Sequence, residues 1–394
     1  MDPTVIQGII NTTQGETTLQ QRDVADTILE LQPASSPLVK LTSKLKKSEA
    51  KNLLFEEYGS EPLPRALKIT AALGADPVAN VTVTLDHPEY CVAGTLIWIP
   101  LTDEVMLVST AVLTGNTTVV RGDNVQAVAA NTYAFIIGTA REQGTVVGTA
   151  RKTQEIRGFN YIQHFEMPIS QTLEEANTLK YGGRVSGRSL ERARQAINIL
   201  SDVEMSFFVG KRRSTTVGGN PITFMGGLRE WITTNKHDLA GVPLTEAVFD
   251  SGLLQDFEFG SSEKWFFCPS QTAQRINTWG KNRLMVNTQL SGQYGFTITD
   301  YIVNGKILHI VSHPLFKGKT IVDPYGLGSI GFTVDLPYLE YKYFQNTGTK
   351  KGGDIKLYSD LQPNDANYIQ DSWEGWVGLE RRMEKAHGIW LNMA

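Results

Sequence analysis

The residue types that most often do chemistry are sparse in this chain and poorly spaced for it. The six histidines are His87, His164, His237, His309, His313 and His387. There is no HExxH motif, and no Cys/His spacing matches a zinc site. His309 and His313 stand four apart, but LHIVSHP reads as a strand ending at a proline, so they would not share a helical face. Gly318-Lys319-Thr320 looks like the end of a phosphate-binding loop. However, His313 and Pro314 stand where the upstream glycine is needed, and Asp323-Pro324 blocks a following helix. No GxSxG elbow exists. Glu56-Glu57 and Glu174-Glu175 are adjacent pairs, so their carboxylates diverge on a strand or helix and read as solvated faces. Arg121-Gly122-Asp123 falls between two strand-like runs and reads as a plain turn. Cys91 and Cys268 sit in the apolar runs PEYCVAG and KWFFCPS and read as buried free thiols. None of this supports an enzyme, and no metal or cofactor is implied.

The elements must therefore carry the function. A chain of 394 residues exceeds the usual single core, and 41% hydrophobic residues suffice for packed ones. The net charge of −4 gives no bulk support for a nucleic-acid binder. MDPTVIQGII lacks the pattern of a signal peptide, and no apolar run approaches the ~20 residues of a membrane span.

The one long helical pattern is GGRVSGRSLERARQAINILSDVEMSFFVGKRR. Leu190, Ala193, Ile197, Leu200 and Phe207 recur at steps of three and four, with Ala196, Ile199 and Val203 widening the stripe. Glu204 interrupts it. Ser186 or Ser189 is placed to N-cap, and Gly210 to close the helix as a left-handed residue before Lys211, Arg212 and Arg213.

Residues 1–51 are polar, with one short helical pattern at Val24–Leu31 and a basic cluster of Lys40, Lys44, Lys46, Lys47 and Lys51. That cluster reads either as a solvated surface or as a contact with an acidic neighbour or phosphate. Residues 52–75 and 140–160 form two extended limbs with almost no core of their own. Between them ANVTVTLD, AGTLIWIP, DEVMLVST, NTTVVRG and TYAFIIGTA give five short strands, a small barrel or sandwich. YIQHFEMPIS predicts a strand before the long helix. After it, Glu246–Phe257 and SQTAQRINTW predict helices, KWFFCPS and KTIVDP predict strands, and GFTITDYIVNGKILHIVSHP predicts a hairpin turning at Asn304-Gly305. YLEYKYFQ predicts a late strand, and VGLERRM and GIWLNM a C-terminal hairpin through Glu384–Gly388. The glycine-rich stretch 345–376 fixes no path.

In this order the parts resemble the major capsid proteins of tailed bacteriophages, the Hong Kong 97-type fold, in the subgroup with a β-barrel inserted in its extended loop. KTQEIRGFNYIQHFEMPIS is similar to the family's loop strand running into the peripheral domain, SLERARQAINILSDVEMSFFVGKR to its spine helix, and NPITFMGGLREWITTN to the entry of its axial domain. The resemblance implies an α+β fold with an N-terminal arm (1–51), an extended loop (52–75 and 140–160), an inserted barrel (76–139), a peripheral domain (161–218 and 336–394, spine helix 186–209) and an axial domain (219–335). It implies a shell protein forming hexamers and pentamers around double-stranded DNA, assembled in the bacterial host cytoplasm. A separate scaffolding protein, a portal and a decoration protein are the implied partners, since no scaffolding segment precedes the arm. A tail or decoration component is the alternative. The candidate assembly contacts are Lys44, Lys46, Lys47, Glu56, Glu57, Arg65, Arg157 and Glu204.

Overall fold

A computed structural model describes residues 37–39, 42, 47–60, 63–75, 81–110, 116–144, 148, 150, 155–178, 187–279, 284–286, 298–316, 327–346, 348 and 351–393. The expected helix at Val24–Leu31, the N-cap at Ser186 and the strand KTIVDP lie outside them. The chain divides into two compact units, one of Met1–Glu57 with Phe159–Ala394 and one of Tyr58–Gly158.

The first unit is organised by the helix Gly187–Val209. Its buried residues are Ile199, Val203, Glu204, Phe207 and Phe208. The expected face is thus corrected: Leu190 and Ala193 are exposed, and Ile197 and Leu200 are half-buried. The reason is what surrounds each half of the rod. Beside the first half stands Trp373, whose indole donates to Arg192 O at 2.9 Å. The second half is enclosed by two sheets. Phe207 meets Tyr341 edge-on at 6.0 Å, while Phe208 turns toward Phe267 and Phe332 at 5.5 and 4.9 Å.

Those sheets differ in character. One has five strands in the order 47–50, 339–344, 368–381, 163–172, with 356–358 pairing on strand 368–381 opposite 163–172, along the edge that 339–344 occupies farther on. Strand 47–50 joins it in parallel. The other has seven strands in the order 236–238, 388–391, 331–334, 263–268, 306–312, 298–303, 284–286. Helices Glu246–Asp256 and Ser270–Trp279 belong to its region, and Phe249, Leu253, Phe266, Tyr301 and Trp390 are core there. The hairpin at Asn304-Gly305 forms, with Val303 opposite Lys306 and both turn residues at positive φ.

Gly210 departs from expectation. It is not among the positive-φ residues. Its lack of a side chain is needed for packing: a Cβ would lie 2.5 Å from Ser206 O and 2.6 Å from Met225 O.

The expected C-terminal hairpin does not form. Residues 377–381 end the strand Tyr368–Arg381 in the five-stranded sheet, whereas Gly388–Leu391 pairs with 331–334 and 236–238 in the other. Two features turn the chain away. Met383 is left-handed at φ 55°, and the Glu384 carboxylate takes the Thr234 N–H at 2.7 Å. The Lys264 ammonium, fully buried, donates to Ala386 O at 2.6 Å and Phe259 O at 2.8 Å. Burial pulls that amine down to about 8. Ile389 and Trp390 are thereby buried instead of left on a sheet edge.

The unit Tyr58–Gly158 holds six strands in the order 66–69, 132–139, 95–99, 104–110, 116–120, 81–84. A bridge from Ile69 to Leu85 joins the two ends. Leu67, Ile69, Val83, Ile97, Met106 and Ile136 are buried in its core. The strand Ala66–Ile69, expected in the extended limb, belongs here because its alternation buries Leu67 and Ile69. Arg121 is more than a turn residue. It is buried in a bidentate pair with Glu104, Nε to Oε1 being 2.8 Å.

His387 gives a pH test of the closing turn. It is fully buried, its Nδ1 accepts from Asp335 N at 3.2 Å, and Nε2 donates to Arg382 O at 3.2 Å. Burial, then the Lys264 ammonium, hold the imidazole down to about 3 against 6.5. The unfolded chain therefore binds the proton first. The stability due to neutral His387 is complete above pH 6.5 and is lost progressively as pH falls toward 3. Replacing His387→Gln, which cannot titrate, should narrow the wild-type advantage by up to about 3 kcal/mol between pH 7 and pH 4. Denaturant midpoints across that range check it, and parallel pH curves would sink the assignment.

Candidate assembly site

Glu204 lies on the enclosed half of the long helix with its side chain wholly buried. A carboxylate there is costly unless each oxygen finds donors. Oε1 accepts from Leu38 N at 2.7 Å, and Oε2 from Val39 N at 2.7 Å. Pro37, just before them, has its φ fixed and no N–H of its own, so the carboxylate takes the next two amides. The third donor is His313 Nε2, 2.8 Å from Oε1. His313 Nδ1 accepts from Leu315 N at 3.2 Å, which assigns the remaining ring proton to Nε2. Its ring stacks on Phe316 at 4.3 Å and meets Phe208 edge-on at 5.2 Å. One helical residue thus ties the N-terminal segment to the strand that ends at Ser312.

Lys47 begins the parallel strand Lys47–Ala50. Its ammonium pairs with Asp354 and lies 5.2 Å from the Tyr341 ring centre and 5.3 Å from that of Tyr343. Tyr341 donates to the same carboxylate at 2.7 Å, and burial together with Asp354 pushes its phenol up. Glu57 is buried on strand Leu54–Gly59 and accepts from Arg381 N at 2.8 Å. Burial pushes its carboxyl up, partly offset by the Arg381 amide and charge. The Arg381 guanidinium, also buried, donates to Gly227 O at 2.9 Å and lies 5.3 Å from the Trp231 ring centre.

The remaining candidates do not join these. Glu56 and Arg157 are exposed on the paired strands 54–59 and 156–161. Arg65 is exposed in the unit Tyr58–Gly158, where its carbonyl accepts from Ile136 N at 2.8 Å. Lys44 and Lys46 lie outside the described residues. The expected metal-free reading of His309 and His313 has a concrete alternative use for each: His309 Nδ1 is 2.6 Å from Asp300, and His313 serves Glu204.

Several organising residues escaped the sequence reading. Asp371 receives Arg188 Nε at 2.6 Å, Arg192 Nε at 2.8 Å and Asp360 N at 3.0 Å. These donors hold its carboxyl well below the usual range despite burial. The i,i+4 arginines were a visible signal, but their acid lies 183 and 179 residues away. Asn160 spends its whole amide on backbone, donating to Gly226 O and Leu379 O and accepting from Gly226 N.

Removing the Glu204 acceptors should loosen the N-terminal segment. Glu204→Gln leaves one amide facing another donor and should cost about 2 kcal/mol; Glu204→Leu strands two amides and an imidazole and should cost roughly 3–5 kcal/mol. Chemical denaturation gives the size, and new proteolysis between Pro37 and Thr42 gives the place. Wild-type stability in both variants would show that the carboxylate holds nothing.

A family model described as SU10 major capsid protein matches residues 11–394. The major capsid protein of Pseudomonas phage PaMx41 is 25% identical over 366 residues, which are 88% of this chain and 84% of that one. Among solved structures, the capsid of a native GTA particle aligns over 96% of both chains at 9% identity and a TM-score of 0.49. A structure of Mycobacterium phage Bobi aligns over 95% of this chain and 93% of that one, at 8% identity and a TM-score of 0.47. With nearly its whole length matched by one family of structural rather than catalytic proteins, the chain belongs to the SU10 major capsid protein family.

Proposed function

We propose that this major capsid protein is the repeating subunit of a tailed-phage shell, folded in the Hong Kong 97 manner with a β-barrel inserted in its extended loop, and that copies assemble as hexamers and pentamers around packaged double-stranded DNA. The observation that carries the reading is a chain whose outlying segments lack cores of their own. Strands Leu54–Gly59 and Ile156–Tyr161 form a sheet of two, with no third strand among the described residues. Such a ribbon is marginal alone; Glu57 and Asn160 tie it to its own subunit, and its exposed remainder gains packing from a neighbour. Glu56, Arg65 and Arg157, exposed on the surface, are the candidate contacts with other copies, and Lys47, Glu57 and Glu204 hold the subunit itself together. The mildly acidic charge of −4 suits a wall to which packed DNA must not adhere. A scaffolding protein, a portal and a decoration protein are the partners of this reading, with assembly in the host cytoplasm.

Expression of the chain alone and together with its phage's scaffolding protein, followed by electron microscopy and light scattering, should show capsomers or closed shells. A protein that stays monomeric in every condition would overturn the reading.

A further inference from the structure

The outer face of strand Thr132–Thr139 is apolar where water ordinarily selects polar residues. Ala134 and Ile136 are buried in the core of the unit Tyr58–Gly158. Tyr133, Phe135 and Ile137 alternate onto the opposite face and are 61%, 37% and 50% exposed. The register carries this stripe sideways. Phe135 stands opposite Ala66 on one neighbouring strand and Trp98 on the other, and Trp98 stands opposite Val105. The Phe135 and Trp98 rings lie 6.3 Å apart. The indole N–H of Trp98 is already satisfied by Asp103 at 2.9 Å. Four adjacent strands therefore share one continuous apolar row, flanked by Tyr133 and Ile137.

The closed core of this unit needs none of these outward side chains. Together they present on the order of 400 Å² of apolar surface, the size of the largest patch on an ordinary soluble protein, which is often a functional one. None of Ala66, Trp98, Val105, Tyr133, Phe135 and Ile137 is charged. Lys68 opposite Tyr133 and Asp103 at the Trp98 indole place one charge of each sign at the rim of the row, so two copies of a chain with net charge −4 approach across it without the like-charge cost of their acidic surfaces. Two such faces would bury about 800 Å², less than the ~1,200–2,000 Å² of a free-standing complex. The patch is too small to hold a dimer in solution and large enough for a contact between copies already brought together by others.

We infer that this face of the Tyr58–Gly158 unit contacts a second copy of the same chain in the assembled shell. The inference rests on the shell reading above. Its test uses the chain's own thiols: Cys91 and Cys268 are the only cysteines and both are buried, so Tyr133→Cys supplies one accessible thiol. Maleimide should label it rapidly in unassembled subunits and at least tenfold more slowly in shells assembled with the scaffolding protein and without any decoration protein. Equal labelling rates in subunits and shells overturn the inference while leaving shell formation intact; absence of shells is instead a failure of the function reading. Should Tyr133→Cys block assembly, Ile137→Cys carries the same measurement. In the double variant Phe135→Ser, Ile137→Ser, subunits should melt as wild type while shells dissociate at lower denaturant. Shells as resistant as wild type would count against the contact.

Discussion

A single carboxylate with no water to solvate it sets the terms for much of the larger unit. Glu204 must receive every donor from protein, and its donors come from positions 166, 165 and 109 residues away in the chain. That demand brings Leu38 and Val39 into the same core as Ile199 and Val203. It also fixes where the N-terminal segment enters. Strand 47–50 can lie parallel on 339–344 only if the chain arrives at the correct end of that strand, and an anchor at Leu38–Val39 is only eight residues upstream of Lys47. An apolar residue at position 204 would fill the volume but leave that entry point undetermined.

The same device recurs wherever distant segments meet. Asp371 binds the first turns of the long helix to strand 368–381. Glu57 binds strand 54–59 to Arg381, and Lys264 binds Ala386 O at the turn that redirects the C-terminus. In the unit Tyr58–Gly158, Glu104 and Arg121 make the corresponding pair. A buried ion pair contributes little net stability over well-packed apolar residues, but breaking one half is severe. Strands rich in Val, Ile and Phe are nearly interchangeable as partners; a carboxylate with three directed donors is not. Register and segment order in this chain therefore rest on polar groups set into apolar surroundings.

This division explains what the sequence made legible. Elements governed by local pattern were readable: the long helix, the turn at Asn304-Gly305, and strands 95–99, 104–110, 116–120 and 132–139. Partner choice was not. VGLERRM and GIWLNM have equal claims to pair with each other on apolar content, and the decision lies with Glu384 binding Thr234 N and Lys264 binding Ala386 O. Nothing local in GIWLNM announces either. The helix face was misjudged for a related reason, because enclosure by a second sheet, and not periodicity, decides that Ile199 is buried while Ala193 is exposed. Glu204 was visible as an anomaly in the stripe, yet its donors could not be named. The assembly candidates were harder still, since charge alone does not separate Glu57, used inside the fold, from Glu56 beside it on the exposed face.

A subunit of a shell has two requirements that pull against each other. It must be a finished fold before assembly, and it must keep surface that is unfinished until a neighbour arrives. The unit Tyr58–Gly158 meets them on opposite faces of one strand. Its interior accommodates a buried Glu104–Arg121 pair without losing closure, while its exterior carries Tyr133, Phe135 and Ile137. One ion pair set into an apolar interior, and aromatic residues outside, depart from the pattern expected of a domain adapted to water alone. The exposed row is centred on strand 132–139, which is paired on both sides, so that strand offers no free backbone edge through which to recruit another indiscriminately. What remains available is a side-chain surface, and such a surface selects partners by shape and position, as a lattice of identical copies requires.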